Sequence, residues 1–230
     1  TPGTCTFMLL TIAWRDRLGP VRDLDVLLMR LRGEIATLPD REQAAGEALV
    51  ASLEEEHAAA RAEMLAVLGS TRYQALLERL ADSIRLPLPT PSATQAQPEL
   101  VDLVRLEVKK LTKAVRRAGD DPPDQTLHDL RIQGKRVRYV GELVEPMLGA
   151  PVKRLLKATA GLQEVLGDHQ DACVAEERIR GLLDGLGEFP DAHVVFVAGR
   201  LVERERARAT EKRAEWWTAW EHVSARAGEI

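Results

Sequence analysis

Apolar residues recur at three- and four-residue intervals along most of the chain, and no stretch sustains an alternation of period two. The first spacing stacks side chains on one face of an α-helix; the second is what a half-buried strand would need. The pattern predicts helices over 5–18, 21–37, 40–68 and 72–84, then over 99–118, 125–146, 151–166, 169–186 and 191–226. Between them lie stop and start signals: Gly19-Pro20, Pro39-Asp40, Gly69-Ser70-Thr71, Asp120 to Asp124 with its two prolines, Gly149-Ala150-Pro151, Gly167-Asp168 and Phe189-Pro190-Asp191. Glycine ends helices and proline or an acid begins them. The expected fold class is all-α.

Four prolines among small polar residues at 87–98 predict an extended linker. It separates a first helical half, 1–86, from a second, 99–230. The apolar run Phe7–Trp14 is too short to span a bilayer and lacks the basic start of a secretion signal, so it reads as a buried helix segment of a soluble protein. Leu18-Gly19-Pro20-Val21-Arg22-Asp23-Leu24-Asp25-Val26 aligns with Leu166-Gly167-Asp168-His169-Gln170-Asp171-Ala172-Cys173-Val174, sharing L-G-x-x-x-D-x-x-V. Two readings are open. Both stretches are helix-break-helix junctions with an Asp near the new N-terminus, or they mark an internal duplication. A duplication would place the first-half partners of residues 105–138 ahead of residue 1, leaving the first half incomplete.

Composition narrows the classes. With 45% hydrophobic and 30% charged residues the chain is not disordered, and 4% aromatics with abundant Ala, Leu, Glu and Arg favours helices. Two cysteines, Cys5 and Cys173, cannot build a disulfide scaffold and are expected as reduced thiols in a cytoplasmic protein. The charge distribution is uneven. Residues 105–157 hold 13 Lys/Arg and 7 Asp/Glu, a local +6 in a chain of net −4, so the remainder carries −10.

At about 100° per residue, Leu100, Val104, Leu111 and Val115 share one face of the 99–118 helix, and Arg105, Lys109, Lys113 and Arg116 form a cationic ridge opposite. In the next helix His128, Arg131, Lys135 and Arg138 occupy one sector about 80° wide. Leu130, Val137, Val140 and Val144 flank that sector on one side, and Ile132, Tyr139 and Leu143 on the other. This predicts a largely buried helix with one polar slot open to a groove facing the ridge. Arg136 belongs to the same basic string, and Lys153, Arg154 and Lys157 extend it. Like charges at helical spacing repel by a few tenths of a kcal/mol per pair; a polyanion relieves that repulsion. Tyr139 is the only aromatic between 99 and 188, so base stacking has little platform, and a phosphate chain suits the surface better than single-stranded nucleic acid.

His128-x-x-Arg131-x-x-x-Lys135-Arg136-x-Arg138-Tyr139 resembles the signature helix of the CHAD family, the conserved histidine α-helical domain. Leu162-Gln163-x-x-Leu166-Gly167-Asp168-His169-x-Asp171 is similar to its helix junction, Leu18 to Asp25 to the first-half version, and Ser70-Thr71-Arg72-Tyr73 to a short first-half motif. The resemblance implies two pseudo-repeated helical bundles around a basic surface that binds inorganic polyphosphate. It also implies an association with triphosphate-tunnel domains and with polyphosphate granules. By position, His128, Arg131, Lys135 and Arg138 would be the binding helix. The first half lacks the family's basic, His-containing helix, so half of the surface is expected to be missing or supplied by a second chain in a homodimer.

Other chemistries fit less well. Glu54-x-x-His57 is half of a di-iron motif with no second half. Asp168-His169-x-Asp171 could ligate a divalent ion but reads as a helix cap. His128 has no nucleophile or paired carboxylate to make it a general acid or base. Trp216, Trp217 and Trp220 read as packing anchors, and Glu203–Glu215 as a solvated mixed-charge face. The expectation is a binding module with no cofactor, metal or enzyme activity. An RNA- or DNA-binding helical protein is the alternative, followed by a metal-dependent phosphohydrolase.

Overall fold

The structure, a computed structural model, describes the backbone of residues 2–85 and 99–230 and the side chains of 18–85 and 99–230. Every regular element among them is helical: α1 Pro2–Ile35, α2 Asp40–Leu68, α3 Thr71–Arg85, α4 Leu100–Ala118, α5 Asp124–Leu148, α6 Ala150–Asp184 and α7 Ala192–Ala227. The linker expected at 87–98 lies outside the described residues, as does the side-chain burial expected of 7–14. No helix among the described residues is long and apolar enough to cross a membrane.

Helix ends follow local chemistry. Pro39 and Pro123 precede α2 and α5, and Asp40, Glu42 and Asp124 lie in the first turns, where the helix dipole favours an anion. α4 carries Asp102 in its first turn and Arg116 and Arg117 in its last. Gly119 and Gly149 close α4 and α5 at φ 74° and 69°, and their N–H groups donate to the carbonyls of Val115 and Glu145.

Two expected breaks are absent. α1 runs through Gly19-Pro20, and α6 through Gly167-Asp168. Proline inside a helix costs about 3 kcal/mol. Pro20 is exposed, and burial of Val21, Leu24, Leu27, Leu28, Leu31 and Ile35 on the following turns offsets that cost. Gly167 marks a side-chain contact: a Cβ there would lie 3.5 Å from Arg131 Nε. The shared L-G-x-x-x-D-x-x-V stretches are therefore helix interiors, not junctions.

The described residues fold into two compact units, 2–85 with 178–201, and 99–177 with 202–230. Residues 178–201, placed in the second half by the sequence reading, belong with the first. In the first unit Leu31, Ile35, Leu49, Val50 and Leu53 are fully buried. Gly46 presses α2 onto α1, since a Cβ there would meet Ile35 Cγ1 at 2.8 Å. The second unit buries Val104, Leu111 and Val115 of α4 with Leu127, Leu130, Val137 and Val144 of α5. Val152, Leu155, Leu162 and Leu166 of α6 and Trp216, Trp220 and Val223 of α7 complete this core. Trp217 meets Trp216 edge-on, with ring centroids 5.1 Å apart.

The apolar faces predicted for α4 and for the Leu130 side of α5 are in this core. The Ile132 side is not: Ile132, Tyr139 and Leu143 are 39%, 56% and 68% exposed. These residues lie about half a turn around α5 from Leu130 and Val137, so neighbours packed on the core face do not reach them. α5 is a one-sided helix rather than a largely buried one.

α5 and α6 approach closely where α5 has glycine. A Cβ at Gly141 would lie 2.8 Å from Leu156 Cδ2. Gly141→Val is expected to lower the unfolding free energy by about 1–3 kcal/mol, the usual cost of overpacking. Exposed, helical Gly161, with nothing within 4 Å of an added carbon, is expected to gain up to about 1 kcal/mol on substitution by Ala. Urea titrations followed by far-UV circular dichroism separate the two signs.

Candidate anion-binding face

His128, Arg131, Lys135 and Arg138 form a row along α5 that rises about 15 Å. All four side chains are half-buried. The wall beside them is α6, not the α4 ridge that the sequence reading put opposite. Arg131 lies against Gly167, and Arg138 Nη1 donates to Gln163 Oε1 at 2.8 Å. Lys135 is close enough to Asp171 to feel its charge. Gln163, Gly167 and Asp171 are four residues apart on α6, so one face of that helix follows the row.

The row is electrostatically strained. Burial is the main cause holding the Lys135 ammonium below its ordinary pKa; Arg131 and Arg138 add to this, and Asp171 opposes it. Arg138 has more neutralising company. Its Nε is 3.2 Å from Glu142 Oε1, and its guanidinium stacks 5.4 Å from the Tyr139 ring centroid. The Nε pairing is ionic and lacks hydrogen-bond geometry. Three buried nitrogens on this face, His128 Nδ1, Arg138 Nε and Gln163 Nε2, have no hydrogen-bond partner. Buried polar atoms normally find one, so the face has donor capacity that the protein itself leaves unused.

The other basic residues lie elsewhere. Arg136 is exposed and turned about 100° from Lys135. Arg105, Lys109, Lys113 and Arg116 edge a shallow recess of about 430 Å³ whose floor includes Val108, Ala227 and Ile230. Arg105 is occupied there, donating to the Ile230 carbonyl from Nε and Nη2 at 3.1 and 2.6 Å and pairing with Asp102. Lys153, Arg154 and Lys157 are exposed. Arg154 pairs with Glu229 at 2.7 Å, and with Lys157 it lines a larger recess of about 970 Å³ between α6 and α7. The expected single trough is thus divided: the α4 cations line a recess with the end of α7, Arg154 and Lys157 line one between α6 and α7, and the α5 row lies along α6.

The remaining candidates resolve into pairs. His57 bonds Asp25 at 2.8 Å, and Glu54 pairs with Arg32. Asp168, His169 and Asp171 do not converge: Asp171 acts on Lys135, while His169 turns to Asp124 and Cys173. Cys173 is a free thiol, pushed up to about 11 mainly by burial, so it is no nucleophile at neutral pH. The Cys5 side chain lies outside the described residues. Sequence reasoning did not assign Gln163, Gly167 and Asp171 to the face; their four-residue spacing was the available signal.

The CHAD domain model matches residues 13–180. The chain belongs to the CHAD family. The uncharacterized protein Rv2226 of Mycobacterium tuberculosis (strain ATCC 25618 / H37Rv) is 30% identical over 171 residues, which is 71% of this chain and 32% of that one. The uncharacterized protein MT2285 of Mycobacterium tuberculosis (strain CDC 1551 / Oshkosh) is 30% identical over 169 residues, 70% of this chain and 32% of its own. The chain thus spans about a third of the length of these curated relatives. Among solved structures, PptA from Streptomyces chartreusis superposes with a TM-score of 0.70 at 19% identity, covering 96% of this chain and 81% of that one. That likeness is one of fold.

The strain on Lys135 has a measurable sign. Its charged form is penalised in the folded protein, so the penalty is full at neutral pH and is relieved as pH rises through the depressed pKa. Lys135→Gln is expected to raise the unfolding free energy of the ligand-free protein by a few tenths of a kcal/mol at pH 7. The gain should shrink as pH approaches the lysine's ordinary value of about 10.4. Urea denaturation at several pH values checks this.

Proposed function

We propose that this CHAD protein binds inorganic polyphosphate along the α5–α6 face, without catalysis. The observation that carries the reading is the row itself: His128, Arg131, Lys135 and Arg138 lie half-buried beside α6, with three unsatisfied buried nitrogens among them and Gln163. A chain of phosphates offers repeated acceptors and negative charge to such a row, with Arg as a forked donor and Lys as a point charge. It would relieve the repulsion from Arg131 and Arg138 that adds to burial in depressing Lys135. Membership of the CHAD family supports the same reading.

A nucleic-acid ligand would need base-reading or stacking groups as well. Tyr139, the aromatic closest to the row in sequence, has its ring next to Arg138. The ridge on α4 and the Lys153–Lys157 group would be secondary contacts for a long chain. A second protein copy, a triphosphate-tunnel domain and residence at cytoplasmic polyphosphate granules belong to the same proposal.

Binding to long-chain polyphosphate should weaken steeply with salt, because each neutralised phosphate releases counterions. For about four to eight contacts, log K should fall against log[salt] with a slope of roughly −3 to −6. Arg131→Ala, Lys135→Ala and Arg138→Ala should each weaken binding and reduce the slope by somewhat under one unit. Arg206→Ala, whose guanidinium is held by Glu176 and Glu203, should change neither. Titrations at two salt concentrations measure this, with unchanged circular dichroism confirming folded variants. A salt-insensitive interaction, or one that survives the triple substitution, rejects the reading. Displacement by an equal phosphate concentration of duplex DNA would favour the nucleic-acid alternative, and phosphate release with Mg²⁺ or Mn²⁺ would favour the phosphohydrolase.

A further inference from the structure

At the start of α5, a second group of side chains is used by nothing in the anion-binding face. Asp124 is the first residue of α5, and His169 and Cys173 lie one turn apart on α6. His169 Nε2 is 3.3 Å from Asp124 Oδ1 and 3.8 Å from Cys173 Sγ, and the three donor atoms all lie within 4.8 Å of one another. For metal–ligand lengths of about 2.0–2.3 Å, neighbouring donors of a tetrahedral ion are about 3.3–3.8 Å apart.

The hydrogen bonding of the group is frustrated without a cation. The imidazole is only 2% exposed, and its Nδ1 has no partner. Nothing on that side of the ring sets the tautomer. Nε2 faces two claims at once: it can donate to the carboxylate or accept from the thiol, but not both. A cation takes a lone pair from each of the three groups and removes the conflict at Nε2, with the ring proton then on Nδ1.

Arg213 supplies the outer support. It donates to Asp124 Oδ1 at 2.5 Å, to Asp121 Oδ1 at 2.9 Å and to the Pro122 carbonyl. An outer-shell partner of this kind holds a ligating carboxylate in place. The charges balance: a divalent ion and Arg213 supply three positive charges against the Cys173 thiolate, Asp124 and Asp121.

We propose that Asp124, His169 and Cys173 form a site for one divalent transition-metal ion of the zinc class. One nitrogen, one sulfur and one oxygen suit a borderline-soft ion rather than Mg²⁺ or Ca²⁺. The thiol proton leaves to solvent as the sulfur ligates, and the metal's oxidation state does not change. Asp124 is exposed, so a fourth position on its side is open to water or another oxygen ligand.

Cobalt is the probe. One equivalent of Co²⁺ added to the full, thiol-reduced chain should produce a near-ultraviolet thiolate-to-cobalt charge-transfer band and the visible bands of tetrahedral cobalt. Zn²⁺ should bleach both. Cys173→Ser, a near-isosteric change at a half-buried position, should abolish the charge-transfer band and weaken Co²⁺ binding at least tenfold. Cys5→Ser should leave the band, as should the Arg131/Lys135/Arg138 triple alanine variant, which separates this site from the anion-binding face. His169→Gln should abolish the visible bands; if that variant unfolds, Cys173→Ser alone decides. Absence of the band at one equivalent, its persistence in Cys173→Ser or its loss in Cys5→Ser overturns the proposal.

Discussion

The close approach of α5 to α6 governs the position of the polar groups in the second unit. Gly134 and Gly141 remove side chains from the α5 side of this contact, opposite Gln163 and Leu156. Gly167 does the same on α6, opposite Arg131. A Cβ at Gly141 would require Leu156 to move, whereas one at Gly167 would only touch the Arg131 guanidinium at van der Waals distance. Without that proximity, Gln163 could not meet Arg138, and Asp171 could not face Lys135. The core around Val137, Val144, Leu155 and Trp216 supplies the burial that holds the two helices in register.

That arrangement carries an electrostatic cost. Three cations within about two turns, partly withdrawn from water, disfavour one another. Glu142, Gln163 and Asp171 offset part of the repulsion and leave several nitrogens unsatisfied. Arg206 on α7, by contrast, is paired with two acids, Glu203 one turn before it and Glu176 of α6. The contrast between the two helices separates a structural charge pattern from one suited to receiving an anion.

Much of the architecture was legible because helices depend on local chemistry. The seven- and four-residue spacing of Val104, Leu111 and Val115, the prolines before α2 and α5, and the glycines after α4 and α5 signal faces and ends without reference to distant residues. The L-G-x-x-x-D stretches misled for the same reason. Gly167 has the local appearance of a helix stop, but it lies inside α6, beside Arg131 of another helix. The exposed Ile132, Tyr139 and Leu143 stripe is a similar case, since hydrophobicity at helical spacing does not say which of two faces a neighbour will cover.

The sequence alone determined the all-helical class, the CHAD resemblance and the row from His128 to Arg138, all of which are periodic or contiguous in the chain. The tertiary structure decided the rest. It set the row beside α6 instead of the α4 ridge, divided the expected trough into three basic places, and brought Asp124 to His169 across 45 residues of chain. Periodicity specifies the direction of a side chain around its own helix axis. The partner on that side depends on the summed packing of side chains on every helix in the core, and no local pattern encodes that sum.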